Sequence, residues 1–227
     1  MSFIGPGQDE VMFFSRYCCE VFPDEKVKKF VKLEVPYAED SYLLGIIFDV
    51  RNQDPRVIEM KRAPVELVEY DPEWPDKFET ERAFLMKIIG QWFYGSIEHV
   101  GSTAIPGLLA KPVIDIMFGV KSLNDSRPAI DVLVNNGYEY WPYKAEVMHW
   151  FCKPSDAFRT HHLHLIPFQS PLWNERIQFR DLLLTNQKIA KEYSDLKREL
   201  AARYKEDRET YTQMKWPFIQ RVLEDEK

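Results

Sequence analysis

One candidate strand constrains this chain more than any other feature. In PVIDIMFGV (112–120) a single carboxylate, Asp115, stands between Ile114 and Ile116 in a run that is otherwise apolar. Such a run, bounded by turn signals, reads as a strand. A charge in that setting is costly unless a cation or a hydrogen-bond donor meets it. The residues that precede it supply a candidate context. The segment SIEHVG (96–101) reads as a strand that delivers the chain to Gly101-Ser102-Thr103, and twelve residues then separate Ser102 from Asp115. A glycine lets backbone approach a ligand closely, and small hydroxyl residues with free N–H groups can hold phosphate oxygens. A tight turn at Gly101 with Asp115 capping a neighbouring helix accounts for the same spacing, and both readings stand at this point.

The rest of the chain places these segments in a mixed α and β order. Residues 1–63 read as a small α+β segment of unknown function: a helix near Asp9–Val21, then strands over 30–35 and 42–50, the latter joined through RNQDPR to RVIEM as a hairpin. Cys18 and Cys19 fall in an apolar stretch and read as buried thiols. After Pro64 the pattern restarts. Prolines 72 and 75 punctuate the start of an amphipathic helix over 75–90, with Phe78, Leu85, Ile88 and Ile89 on its apolar face. A helix follows Pro128 and stops at Gly137. Strands are expected at 148–153 and 161–167, and helices from Trp173 to the end, with breaks near Thr185 and Pro217. The expected fold class is α+β (α/β mixed sheet), with residues 64–227 as one domain and C-terminal helices completing it.

Composition excludes several classes. At 227 residues, with 45% hydrophobic and 29% charged residues, the chain is neither disordered nor collagen-like. Its net charge of −6 argues against coating nucleic acid by charge alone, although a local groove is not excluded by it. No apolar run approaches the roughly 18 residues that cross a bilayer, and MSFIGPGQDE lacks a basic head and an apolar signal core. The expectation is a cytoplasmic protein with no membrane partner. Three cysteines form no metal spacing.

Three of the five histidines fall within four positions, in THHLHL (160–165). On a strand, His162 and His164 share one face, and His161, Leu163 and Leu165 the other. With Asp115 from a neighbouring strand, His162 and His164 make a two-histidine, one-carboxylate set that suits zinc, iron, nickel or manganese better than magnesium. Alternatively one of the pair serves as general base, since an unperturbed imidazole titrates near working pH, or one is simply buried and hydrogen-bonded while the others face water. Arg159, Lys111 and Lys215 are the cations expected on phosphates, with solvated surface roles as the alternative. His99 shares a face with Gly101, and Glu98 lies on the opposite one. Arg176 and Arg180 lie one turn apart on a helix whose face reads as solvated with Glu175 and Asp181, contact with the acceptor being the alternative.

Taken in order, the Gly101-Ser102 turn, KPVIDI, THHLHL, FRDLLL and YTQMKWPFI resemble the GrpB-like family of the nucleotidyltransferase superfamily, over about 64–224. The resemblance implies a nucleotidyltransferase-like core whose Gly-Ser loop grips a nucleoside triphosphate while strand carboxylates bind a divalent metal (Mg, Mn or Zn). It implies transfer of a nucleotidyl group to an acceptor such as an RNA end, a small molecule or a protein hydroxyl. Asp115, His162 and His164 are then the catalytic and metal-binding candidates, and Gly101, Ser102, Thr103, Lys111, Arg159 and Lys215 the nucleotide-binding ones. One departure matters. The active pattern has a second carboxylate two positions after the first, and here that position is Met117, whose thioether is a poor magnesium ligand. The alternatives are therefore a nucleotide-binding or regulatory module without turnover, and a metal-dependent hydrolase built on Asp115, His162 and His164.

Overall fold

In the computed structural model the described residues are 29–33, 43–49, 54–60 and 64–225. The chain divides into two compact units, Met1–Arg62 and Ala63–Lys227. In the first, strands β1 (Lys29–Leu33), β2 (Leu43–Asp49) and β3 (Asp54–Met60) form an antiparallel sheet in that order. Asp49 pairs with Asp54 and Leu43 with Met60, which is the hairpin expected around RNQDPR. The helix expected near Asp9–Val21, with Cys18 and Cys19, lies outside the described residues.

The second unit is a five-stranded mixed sheet covered by helices. Its elements are α1 (Trp74–Ile89), β4 (Phe93–Val100), β5 (Ile114–Val120), α2 (Leu123–Ser126), α3 (Ala129–Val134), β6 (Glu139–Trp141), β7 (His149–Pro154), β8 (Arg159–Pro167), α4 (Pro171–Thr185), α5 (Gln187–Arg203), α6 (Arg208–Gln213) and α7 (Trp216–Glu224). The strand order is β4-β5-β8-β7-β6. Only β5 and β8 run parallel; the other neighbours are antiparallel. The parallel pair sits in the middle, where both faces are covered, as parallel strands require.

Alternation sorts the two central strands. Ile114, Ile116 and Phe118 of β5 join Leu163 and Leu165 of β8 against Trp74, Phe78, Leu85 and Ile89 of α1 and Leu133 of α3. The opposite face carries Met117 and Ile166, packed with Val100, Met148 and Trp173. Asp115, His162 and His164 therefore lie on the face that α4 covers, and His161 on the face of α1, its Nε2 3.9 Å from Oε2 of Glu81.

The helix boundaries follow local chemistry. Pro75 occupies the first turn of α1, where no intrahelical donor is needed. Gly137 ends the α3 region at φ +88°, a conformation that favours glycine. The expected break near Thr185 falls at Asn186, whose side chain accepts from the amides of Lys188 and Ile189. A further break, unexpected from periodicity, falls before Arg208, where Asp207 accepts from the Thr210 amide at 2.9 Å. The expected break near Pro217 falls between Gln213 and Trp216, with Pro217 in the first turn of α7. The short strand β6 was also not anticipated, its three residues being too few to show alternation. Among the described residues no helix is long and apolar enough to cross a membrane.

Candidate functional site

The site is built where β5 and β8 run side by side. Their register sets Asp115 opposite His162 and Met117 opposite His164. His162 Nδ1 lies 2.8 Å from Asp115 Oδ1, and the carboxylate assigns the proton to that nitrogen. His164 Nε2 is 3.9 Å from the same oxygen. The second nitrogen of His162, Nε2, faces Nη1 of Arg159 at 3.5 Å. Arg159 is held in place twice over: its guanidinium lies 4.9 Å from the Trp150 ring, and it pairs with Asp156. Trp150 comes from β7, where it pairs with His164.

The Gly-Ser turn closes over Asp115. Gly101 has φ +70°, and a Cβ built there would collide with Asp115 Oδ2 and lie 2.9 Å from its Cγ. Only glycine permits both the conformation and the approach. Ser102 Oγ accepts from Lys197 Nζ of α5 at 3.1 Å, and the same ammonium donates to the Leu109 carbonyl. Thr103 is buried, and its hydroxyl donates to the Val113 carbonyl at 3.1 Å and meets His99 Nε2 at 2.9 Å. Thr103 thus pins the loop, and His99, stacked on Phe78 at 4.9 Å, belongs to the same scaffold. A paired bridge between Val68 and Ala110 anchors the far end of the loop.

Charge on this floor is lopsided. Lys111, Arg176 and Lys215 each feel the Asp115 charge, and Arg159 stands at the edge against His162. Lys111 and Lys215 lie 5.2 Å and 4.6 Å from the centroid of the same ring, Tyr211. Burial, reinforced by Lys215 and Arg208, pushes Lys111 down to about 7. Burial pushes Lys215 down to about 8, against the favourable field of Asp115. Burial alone would raise the Asp115 carboxyl, but its contacts with His162 and His164 outweigh that and hold it well below the usual carboxylate range. Burial also lowers both histidines, His164 to about 3 with Arg176 adding to the effect. At neutral pH the floor therefore holds an ionised aspartate, two neutral imidazoles and an excess of positive charge.

The comparisons with known proteins match the second unit of the chain. The family pattern described as "GrpB protein" covers residues 64–225. The chain belongs to the GrpB family. The glutamate-rich protein GrpB of Alkalihalophilus pseudofirmus is 35% identical over 171 residues, which span 73% of this chain and 98% of that one. A UPF0157 protein of Pseudomonas aeruginosa is 35% identical over 163 residues, 70% of this chain and 66% of that protein. The crystal structure of the conserved protein GrpB from Enterococcus faecalis superposes with a TM-score of 0.64 at 30% identity, covering 70% of this chain and 96% of that one. A dephospho-CoA kinase of Mycolicibacterium paratuberculosis is 34% identical over 128 residues, which make up 29% of its length.

Within the GrpB domain, the structure brings together Gly101, Asp115, His162, His164, Arg159, Lys111 and Lys215. Ser102 stands at the turn with its hydroxyl directed to α5, and Thr103 is turned into the scaffold. Arg180 pairs with Glu98 at 2.7 Å and with Asp181 at 2.8 Å, away from Asp115. Its neighbour Arg176, expected on a solvated face, instead reaches the floor, with Nη2 3.7 Å from the Met148 sulfur. For a metal, the donor set is gathered only in part: Asp115 Oδ1 already accepts from His162, and among the described residues no group of three or more His, Cys, Asp or Glu side chains can hold an ion. The charge around Asp115 suits an anion better. Lys197 is the residue that motif reading passed over. Its signal was a lysine four positions after Tyr193 and three before Leu200, on the apolar stripe of α5, and it is 1% exposed.

Proposed function

We propose that the cleft over β5 and β8 binds a nucleotide through its phosphates. The observation that carries this reading is the set of cations gathered on this face, Lys111 and Lys215 over the Tyr211 ring, Arg159 against His162 and Arg176 against Met148, beside a glycine turn that lets backbone approach closely. Cations taken out of water need counter-charge, and one carboxylate does not balance three of them. A polyphosphate supplies it, and Arg159, held at the edge by Asp156 and Trp150, adds positive charge there. The short stretch shared with dephospho-CoA kinases, proteins named for phosphoryl transfer, supports a phosphorylated ligand.

A second reading, nucleotidyl transfer, is favoured by the Asp115–His162 pair. Asp115 fixes the Nδ1 proton, so that His162 Nε2, once bound phosphates draw Arg159 Nη1 off it, takes a proton from an acceptor hydroxyl as that oxygen attacks the α-phosphorus and pyrophosphate departs. A divalent ion enters this reaction with the triphosphate, as part of the substrate, and the acceptor is an RNA end, a small molecule or a protein hydroxyl. Against turnover stands Met117, fully buried between Val100, Met148 and Trp173 where the superfamily pattern places a second carboxylate. The hydrolase alternative requires a resident metal on Asp115, His162 and His164, a set not closed here.

Calorimetry with inorganic triphosphate and nucleoside triphosphates tests the binding reading, which predicts saturable binding that is lost in Lys111→Ala/Lys215→Ala. No binding at millimolar ligand overturns it. Incubation with α-labelled nucleoside triphosphates, total RNA and Mg²⁺ or Mn²⁺ tests transfer. Label that reaches RNA or protein with the parent chain, and not with Asp115→Ala, selects the enzyme; binding without label selects the module.

A further inference from the structure

Two large aromatic side chains stand exposed beside the cationic floor. Tyr143 is 50% exposed and Trp216 is 39% exposed, although full burial of such rings is among the strongest drives in folding. They come from distant parts of the chain. Tyr143 lies in the connection between β6 and β7, and Trp216 begins α7. One ammonium, that of Lys144, lies 5.7 Å from the centroid of Tyr143 and 5.6 Å from that of Trp216, so the two rings overlook a common space. Lys144 itself sits at φ +50°, a left-handed conformation that is costly for a residue with a side chain and is found at ligand sites more than elsewhere.

This shared space adjoins the phosphate floor. Trp216 follows Lys215 directly, and Lys215 acts on Asp115. Tyr143 in turn feels the Glu209 carboxylate and, after it, the Arg176 guanidinium. A ligand whose phosphates lie on Lys111, Lys215 and Arg176 therefore has its remaining atoms led out past Trp216 and Tyr143. Exposed aromatic faces next to a cationic groove are what planar bases use, because every base offers a π-face.

We propose that Tyr143 and Trp216, spanned by Lys144, form the nucleobase subsite of this cleft, so that the ligand is a nucleotide held by its phosphates inside and by its base on the aromatic rim. The proposal rests on the reading of the floor as a phosphate site and adds the identity of the rest of the ligand. Stacking without a fixed set of hydrogen bonds tolerates any base and favours the larger rings, so purine nucleotides bind more tightly than pyrimidine ones.

Calorimetry on the full chain, with inorganic triphosphate and with purine and pyrimidine nucleoside triphosphates, tests it in the parent, Trp216→Ala, Trp216→Phe and Tyr143→Ala. The expected result is a loss of about tenfold or more in nucleotide affinity for Trp216→Ala, with inorganic triphosphate unchanged within about twofold and most of the loss restored in Trp216→Phe. Equal nucleotide affinity in Trp216→Ala and the parent overturns the base subsite and leaves the phosphate reading intact. A parallel loss of triphosphate and nucleotide in a variant of unchanged melting temperature also overturns it, since Trp216 then acts through Lys215. Absence of triphosphate binding in the parent overturns both readings together.

Discussion

The carboxylate of Asp115 lies so close to the α-carbon of Gly101 that no side chain fits between them. Gly101 also has φ +70°, so alanine there is penalised twice, by backbone conformation and by collision. Gly101→Ala is expected to cost about 1–3 kcal/mol in denaturant unfolding and to push Asp115 off His162. A fully stable variant would show that the turn has room which this geometry denies.

Asp115→Asn separates binding from chemistry. The amide oxygen still accepts from His162 Nδ1, but the floor loses its negative charge while Lys111, Arg176 and Lys215 remain. Metal-free triphosphate is then expected to bind more tightly, by roughly threefold to tenfold, whereas any nucleotidyl transfer disappears. Calorimetry and label transfer on the same preparation check both halves, and weaker binding of the metal-free ligand would contradict the anion reading.

The pH dependence of binding follows from the two lysines. Burial holds Lys111 at about 7 and Lys215 at about 8 in the free protein, so both lose charge as pH rises from 7 to 9. A bound polyphosphate favours their protonated forms, so binding in this window takes up protons. Affinity should fall by at least about tenfold between pH 7 and 9, and Lys215→Arg should flatten the profile. Calorimetry in buffers of different ionisation enthalpy measures the proton uptake directly; a flat profile would mean the lysines stay charged without ligand.

Lys197 ties α5 to the Gly101–Ser102 turn through Ser102 Oγ and the Leu109 carbonyl. Lys197→Met removes a buried ammonium, which is favourable, and leaves a carbonyl unpaired, which costs about 1–3 kcal/mol. The net change in stability should stay within about 2 kcal/mol, while amide exchange across 102–110 accelerates and triphosphate binding weakens. Exchange measured by mass spectrometry reports the loop without requiring activity.

The opposite face of the sheet offers a control. Glu81 of α1 accepts from Tyr138 at 2.6 Å and from Lys153 at 2.8 and 3.0 Å, a buried ion pair with its hydrogen bonds filled. Glu81→Ala strands both partners and should destabilise the domain by about 3–5 kcal/mol. Triphosphate affinity measured well below the melting temperature should remain that of the parent, because the sheet lies between Glu81 and the cleft.

The division between what was legible and what was not follows interaction range. Alternation along β5 and β8 placed Asp115, His162 and His164 on chosen faces, Gly101 announced a close approach, and Pro75, Gly137 and the pattern break near Thr185 marked helix ends, all from neighbours in sequence. Local periodicity does not say which strands pair or in what register, and the 2.8 Å contact of Asp115 with His162 spans 47 positions. Nor does it say which charged residue of an amphipathic helix turns inward. Arg176 reads as a solvated cation in the sequence and Lys197 carries no motif, yet both turn inward where α4 and α5 pack against the sheet. The sequence by itself determined the strand faces, the glycine turn and the lone carboxylate. Tertiary packing decided that cations from separate segments would gather on the same face, because the cost of burying their charge is set by neighbours distant in the chain.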